Sequence, residues 1–344
     1  MEEGRLTAWK KAVLLTGGAI KVPADFRPPF PLSRSTAGPG AGSPSMVFCF
    51  GGTRVKKAIS AEEGDFELVK VDDRYSIMRS GETLVDNVTF QPTLHHAPEQ
   101  AFFNLSTECI YACKFCTSPR LDRRITKSLD ADRIVNMAVA AHKKGGLKAV
   151  ALTSAVVSTP EETVDRMVEV VRRVRAALPG MPIGVEPYVD RLEQIDALRE
   201  AGADEIKLNI ETYDREIFSK VCGELDLDWV LEAISYAVKV FGRGKVTSNI
   251  IIGMGESDEN LLEGVEALAK MGCIAVLRPL RLNDLNRQAM EDALGPLLPT
   301  GPERLLRLAE EHKRILQENG LDTREVRTMC PECRCCDIVP FRDI

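Results

Sequence analysis

Cysteine is the residue type in this chain whose spacing points to chemistry. There are ten, unevenly placed. Three form a C-x3-C-x2-C run, Cys109, Cys113 and Cys116, in NLSTECIYACKFCT. Four crowd the segment MCPECRCCD as Cys330, Cys333, Cys335 and Cys336. Cys49, Cys222 and Cys273 stand alone and read as buried, unreactive thiols. A secreted disulfide framework spreads its cysteines through a small domain, whereas tight clusters in a long chain read as metal sites. Three thiolates on one loop can hold three irons of a [4Fe–4S] cube and leave the fourth iron open. A plainer reading is a zinc site completed by a distant fourth ligand. The four-cysteine tail has workable spacing for a second iron–sulfur cluster, with a structural zinc knot or a thiol redox pair as the lesser readings.

These side chains need a frame. From about residue 100 the pattern alternates strand and helix. Strands are expected at 101–105, 147–153, 182–188, 205–210, 245–252 and 273–277. Helices are expected at 130–144, 160–178, 191–201, 214–221, 228–241, 258–271 and 303–319. The strands are apolar on consecutive residues, as in a parallel sheet buried on both faces. Six such units make either an open doubly wound sheet or a partial TIM-type barrel. No G-x-G-x-x-G follows the first strand, which weakens the first option. In a barrel the chemistry sits at the C-terminal strand ends. The fold expected is therefore α/β, a partial (β/α)6 barrel over 99–300. Ahead of it, 1–98 reads as a small β-rich module with a helix near 6–15, a Pro/Gly/Ser-rich arm at 27–45, and strands at 46–51, 66–71, 75–79 and 83–90. After it, 301–344 holds a helix and the cysteine-rich tail, expected to fold over the barrel mouth as a plug.

Polar residues follow the expected strands: Thr153 and Ser154 after the second, Glu186 after the third, Asn209 and Glu211 after the fourth, Gly253, Gly255 and Glu256 after the fifth, Arg278 and Arg281 after the sixth. A carboxylate in a barrel mouth suits a ribose hydroxyl, and glycines let backbone approach a flat base. The same three acids also suit helix N-termini. His95 and His96, just before the first strand, could approach the cysteine loop or sit in a surface turn.

The triplet, with Phe115 before its last cysteine, resembles the signature of radical S-adenosylmethionine (SAM) enzymes. LNIET at 208–212, IIGMGES at 251–257 and LTS at 152–154 resemble the biotin synthase and lipoyl synthase branch, especially its archaeal-type members, which include two-protein lipoyl synthases. The resemblance implies that SAM occupies the open iron and is reductively cleaved to a 5′-deoxyadenosyl radical, which abstracts hydrogen from an aliphatic substrate. It implies that Asn209 and Glu211 contact SAM or substrate and that Thr153 and Ser154 contact the methionyl end. It further implies sulfur insertion, with the tail cluster as sulfur source. Alternatives are methylation, rearrangement or ring closure with that cluster as an electron relay, or a non-catalytic iron–sulfur partner of a paralogue. The partners implied are a ferredoxin- or flavodoxin-like donor, a lipoyl or acyl carrier domain and a second radical SAM protein. The chain departs from the branch in offering only Cys49 upstream of the triplet, where lipoyl synthases place an auxiliary set.

Composition agrees with an ordinary globular protein: 344 residues, 28% charged and 44% hydrophobic, with a formal charge of −6. A net acidic chain without Lys/Arg runs is a poor primary nucleic-acid binder. No apolar stretch is long enough to span a bilayer. The start, MEEGRLTAWKKAVLL, lacks a signal-peptide pattern, so a cytoplasmic location is expected.

Overall fold

The computed structural model describes residues 3–34, 43–94, 96–121 and 128–344. The first unit is built on helix α1 (Glu3–Thr16) and strands β1 (Ile20–Lys21), β2 (Ser33–Arg34), β3 (Pro44–Phe50), β4 (Thr53–Ser60), β5 (Phe66–Val71), β6 (Arg74–Arg79) and β7 (Glu82–Gln91). The order is β2-β3-β4-β1-β5-β6-β7, and β3 also pairs with β7, so six strands close on themselves. Closure removes the exposed edges that a short sheet would leave. Inward side chains such as Met46, Phe48, Val55, Leu68, Ile77 and Val85 fill the interior. Strand β4, TRVKKAIS, is an addition to the sequence reading. Its Lys56 and Lys57 break the apolar pattern yet are both buried. The Nζ of Lys57 donates to the carbonyls of Leu14 and Gly17, both at 2.6 Å. Such bonds make buried ammonium groups tolerable. Part of the expected Pro/Gly arm, 35–42, and His95 lie outside the described residues.

The second unit carries β8 (Gln100–Asn104), α2 (Ala131–Lys143), β9 (Ala149–Thr153), α3 (Pro160–Ala177), β10 (Ile183–Glu186), α4 (Glu193–Ala201), β11 (Glu205–Lys207), α5 (Arg215–Val221), α6 (Leu227–Phe241), β12 (Val246–Ile252), α7 (Asp258–Met271) and β13 (Cys273–Pro279). All five strand pairings are parallel and the order is β8 through β13 in sequence. A doubly wound sheet reverses its order at a switch point. This one does not, and β8 and β13 remain its two edges, so it is a partial TIM-type barrel. Asp130, Thr159, Asp214, Asp226 and Ser257 cap the helices that follow them by accepting backbone N–H bonds. Gly202 and Gly272 end α4 and α7 in the left-handed conformation.

Three further helices complete the chain: α8 (Arg287–Leu294), α9 (Pro302–Glu318) and the short α10 (Met329–Cys333). Helix α9 packs on α1, α7 and β13, joining the two units. Among the described residues no helix is long and apolar enough to cross a membrane.

Candidate functional site

A cavity of about 930 Å³ occupies the barrel interior. At the C-terminal strand ends it is lined by Cys109, Cys113, Phe115 and Cys116, on the loop that leaves β8. That loop is pinned through its backbone. The Ile110 N–H donates to Val156 O at 2.8 Å and the Lys114 N–H to Val221 O at 2.9 Å. Glu224 accepts from the Ala112 N–H at 2.6 Å. One Arg120 nitrogen donates to the carbonyls of Cys113 and Cys116, and buried Asn286 donates to that of Phe115. The three thiols are thus fixed on one wall while their side chains stay open to the cavity. Burial pushes the Cys116 thiol up to about 11 and raises that of Cys109. Cys113 moves the other way, because the Cys222 thiol donates a hydrogen bond to it. Cys222 is therefore not the isolated core thiol that its place in the sequence suggests.

The four tail cysteines line the same cavity from its other end. The tail enters past the N-terminal ends of the strands, not over the mouth, which corrects the expected plug. Glu205, the first residue of β11, accepts the N–H groups of Arg327 and Thr328 and the Thr328 hydroxyl. Gln100, the first residue of β8, donates to Met329 O at 3.0 Å. Gly184 in β10 leaves the space that Thr328 and Met329 fill: a Cβ there would lie 2.8 Å from Thr328 Cβ and 3.2 Å from Met329 Cγ. The tail is thus a floor, and the cavity lies between two cysteine sets.

Their electrostatic settings differ. The Cys330 thiol lies 2.7 Å from a guanidinium nitrogen of Arg278 and 3.4 Å from the Lys207 ammonium. Arg54 and Lys56 approach the same floor: the guanidinium of Arg54 donates to Cys333 O at 2.8 Å, and the Lys56 N–H to Cys335 O at 2.9 Å. Cys333 is lowered to about 7, first by the Cys335 hydrogen bond and then by Arg54, against burial. Burial pushes Cys336 up to about 11. Such a buried cationic floor fits an anionic occupant or thiolate ligands.

Between the sets, Lys207 Nζ pairs with Glu186 Oε1 at 2.9 Å, and Asn209 Nδ2 donates to the same oxygen at 2.9 Å. Burial pushes the Glu186 carboxyl up, but Lys207 and Asn209 outweigh it and hold the group below its ordinary range. Glu211 has no such partner, and burial raises it to about 7. Neither acid is a helix cap: α4 and α5 begin after Leu192 and Asp214.

Of the sequence-expected residues, Phe115, Thr153, Ser154, Glu186, Asn209, Glu211 and Arg278 line the cavity with both cysteine sets, and so does His96. Gly253, Gly255 and Glu256 do not. Glu256 turns back to accept the Gly253 and Met254 N–H groups at 2.8 Å and pairs with Arg304 at 2.9 Å. Those contacts shape the turn that follows β12. Arg281 is not in the lining either. Sequence reasoning missed Cys222, Lys207, Asn104, Asn249, Asp337 and Tyr111. Only Asn104, directly before the motif, gave a signal.

The site accommodates the group that the triplet suggests. Asn104 Oδ1, Asn249 Oδ1, Arg278 Nε and Asp337 Oδ1 are buried on the cavity wall without a hydrogen-bond partner. Buried polar atoms normally have one, so these await a polar ligand. Among the described residues no three His, Cys, Asp or Glu side chains converge tightly enough for a single metal ion. A cluster distributes its thiolates over several irons and suits a wider set.

Residues 103–268 match the family model described as the Radical SAM superfamily. Those residues carry a radical SAM domain, and proteins of that superfamily use a [4Fe–4S] cluster and SAM. Within it the likeness extends to the biotin synthase and lipoyl synthase branch. A biotin synthase of Geotalea uraniireducens is 28% identical over 55% of this chain and 57% of its own. A lipoyl synthase of Glaesserella parasuis is 28% identical over 53% and 57%. A probable GTP 3′,8-cyclase of Pyrococcus abyssi is 27% identical over 62% and 65%. The chain thus spans less than two thirds of the length of these relatives. Among solved structures, methylornithine synthase aligns with a TM-score of 0.51 at 20% identity, covering 64% of this chain and 69% of that one. The hydrogenase maturase HydG from Carboxydothermus hydrogenoformans gives 0.54 at 18% identity, covering 64% and 52%. Both likenesses speak to the fold alone.

Proposed function

We propose that the protein is a radical SAM enzyme that inserts sulfur into an aliphatic substrate held between its two cysteine sets, in reactions of the lipoyl or biotin type. The observation that carries this reading is the placement of both sets on one cavity, one at each end of the barrel. Cys109, Cys113 and Cys116 would hold three irons of a [4Fe–4S] cluster, with the fourth left for SAM. Once bound, that pair supplies a carbon-centred radical strong enough to take hydrogen from an unactivated C–H bond. The chain's own residues do the rest. Asn104, Asn249 and Glu211 offer oxygens to the hydroxyl and amino groups of SAM or substrate. Phe102, Phe103, Leu129, Met137 and Phe218 on the wall offer an apolar bed for an alkyl chain. Cys330, Cys333, Cys335 and Cys336 would hold a second cluster on the cationic floor, facing that chain from the side opposite the radical source.

A second reading is ring closure, favoured by the relatives named GTP 3′,8-cyclase. In that case the floor set binds substrate or relays electrons. The reductant would be a ferredoxin- or flavodoxin-like protein. For lipoyl chemistry the substrate would be carried by a lipoyl or acyl carrier domain, with a second radical SAM protein as co-worker.

Anaerobic reconstitution separates the readings. Two clusters mean about eight irons per chain, against about four for one. Loss of sulfide from the floor cluster in step with product supports insertion, and sulfide retained through many turnovers refutes it. Cys109→Ala is expected to abolish 5′-deoxyadenosine formation. Formation at the wild-type rate in that variant would overturn the assignment of the triplet.

A further inference from the structure

Four consecutive carbonyls of the tail are gripped by the N-terminal unit. Arg54 donates to Glu332 O and Cys333 O, both at 2.8 Å. Lys11 Nζ donates to Arg334 O at 2.7 Å, and the Lys56 N–H to Cys335 O at 2.9 Å. The donors come from α1 and β4 alone. The cysteine side chains of this segment meanwhile line the cavity. The backbone is thus held from outside while the thiols are presented inward.

A second grip fixes the end of the chain. The Asp343 carboxylate accepts from Lys11 Nζ at 2.7 Å, Thr53 Oγ1 at 2.6 Å, Arg334 at 2.8 Å and the Val339 N–H at 2.8 Å. The side chains of Lys11 and Asp343 are both 0% exposed. A lysine on the apolar face of α1, among Ala8, Ala12 and Leu15, is a liability unless its charge is used. The tail itself is not in a conformation it would choose. Met329 and Arg334, neither of them glycine, have φ of 58° and 59°. Such backbone persists only where its surroundings over-determine it.

We propose that α1 and β4 form a template that sets Cys330, Cys333, Cys335 and Cys336 at ligand spacing before metal arrives, with Lys11, Arg54 and Asp343 as its positioning residues. This rests on reading the tail as a second metal site. On that reading the β unit is part of the metal centre's construction, although it contributes no ligand.

The experiment is anaerobic iron and sulfide reconstitution of full-length wild type, Lys11→Met, Asp343→Asn and the conservative Lys11→Arg, with Mössbauer spectra and a 5′-deoxyadenosine assay. Wild type is expected to hold about eight irons, and Lys11→Met and Asp343→Asn about four. SAM cleavage should persist in both, showing that the barrel and first cluster are intact. Lys11→Arg should regain the second four. Eight irons in Lys11→Met, or loss of both clusters together, overturns the template. Four irons in wild type would instead refute the second metal site. In that event the template is read from iodoacetamide labelling of Cys333 and Cys335 in the metal-free chain. Labelling at least about tenfold faster in Lys11→Met supports it, because breaking a buried ion pair opens the segment. Equal rates overturn it.

Discussion

Gly184→Ala tests the floor with one methyl group. Gly184 is not in the left-handed region, so alanine meets no backbone obstacle. Were the tail elsewhere, the change would stabilise by about 0.4–1 kcal/mol through the unfolded chain. With the tail in place, the new Cβ falls 2.8 Å from Thr328 Cβ, 3.2 Å from Met329 Cγ and closer still to Thr328 Oγ1. Met329 can yield, but Thr328 is tied by its hydroxyl to the buried Glu205 carboxylate at 2.6 Å and by its N–H at 2.9 Å. Overpacking costs about 1–3 kcal/mol, and a lost hydrogen bond to a charged group about 1.5–3. The net expectation is destabilisation by about 2–4 kcal/mol, capped by the cost of releasing the tail locally. Anaerobic guanidinium unfolding of the metal-free chain measures it. The companion Thr328→Gly removes the opposing Cβ and hydroxyl, so Gly184→Ala should cost less than about 1 kcal/mol in that background. The cycle should then show at least about 1 kcal/mol of coupling. Additive effects, or a Gly184→Ala variant more stable than wild type, would refute the placement of the tail beneath the barrel.

Three shorter tests address the rest of the site. Cys222→Ala removes the thiol donor to Cys113. Since a hydrogen bond of about 0.5–1.5 kcal/mol equals about 20–60 mV for one electron, the triplet's cluster should fall in potential by that amount in an EPR-monitored titration. Lys207→Met strands the buried Glu186 carboxylate and should cost about 3–5 kcal/mol at pH 7.5. In wild type the Glu186 contribution is present above the ordinary value of 4.5 and is lost as pH falls through its depressed value. In the variant only Asn209 and Arg278 still oppose burial, so the carboxyl should rise and the deficit should shrink as pH drops towards 5. His312, on α9, is buried with neither ring nitrogen hydrogen-bonded, and burial lowers it to about 3 from 6.5. It therefore opposes folding increasingly as pH falls below 6.5. Wild type should lose about 2 kcal/mol more than His312→Leu between pH 7.5 and 5, measured by denaturant midpoints.

Much of the frame was legible because one-dimensional pattern carries it. Consecutive apolar runs such as AVAL at 149–152 and IAVL at 274–277 mark strands buried on both faces, and capping residues followed by periodic apolar positions mark the helices between them. The triplet was legible for the same reason: its ligands are neighbours in sequence. Pattern failed where burial contradicts residue type. Strand β4 was missed because Lys56 and Lys57 look like solvent residues, and only their distant carbonyl partners justify burying them. Glu256 reads as a strand-end acid, and nothing local to it shows that two N–H groups and Arg304 are its partners.

The deeper omission was the end from which the tail enters, and it shows what local sequence cannot encode. Nothing in MCPECRCCD distinguishes a lid from a floor. The distinction is written at Gln100, Gly184 and Glu205, on three different strands, as a donor, an absent side chain and a carboxylate aimed into the barrel bottom. Each is unremarkable alone, and each has its partner in 327–329, over a hundred residues away. The same holds for Cys222, which comes next to Cys113 where Val221, at the end of α5, accepts the Lys114 N–H. The ligands of this site are thus local in sequence, while their spacing, charge and direction are imposed by residues that a motif cannot contain. Substitutions at those supporting residues should therefore separate the two cysteine sets more cleanly than substitutions of the cysteines themselves.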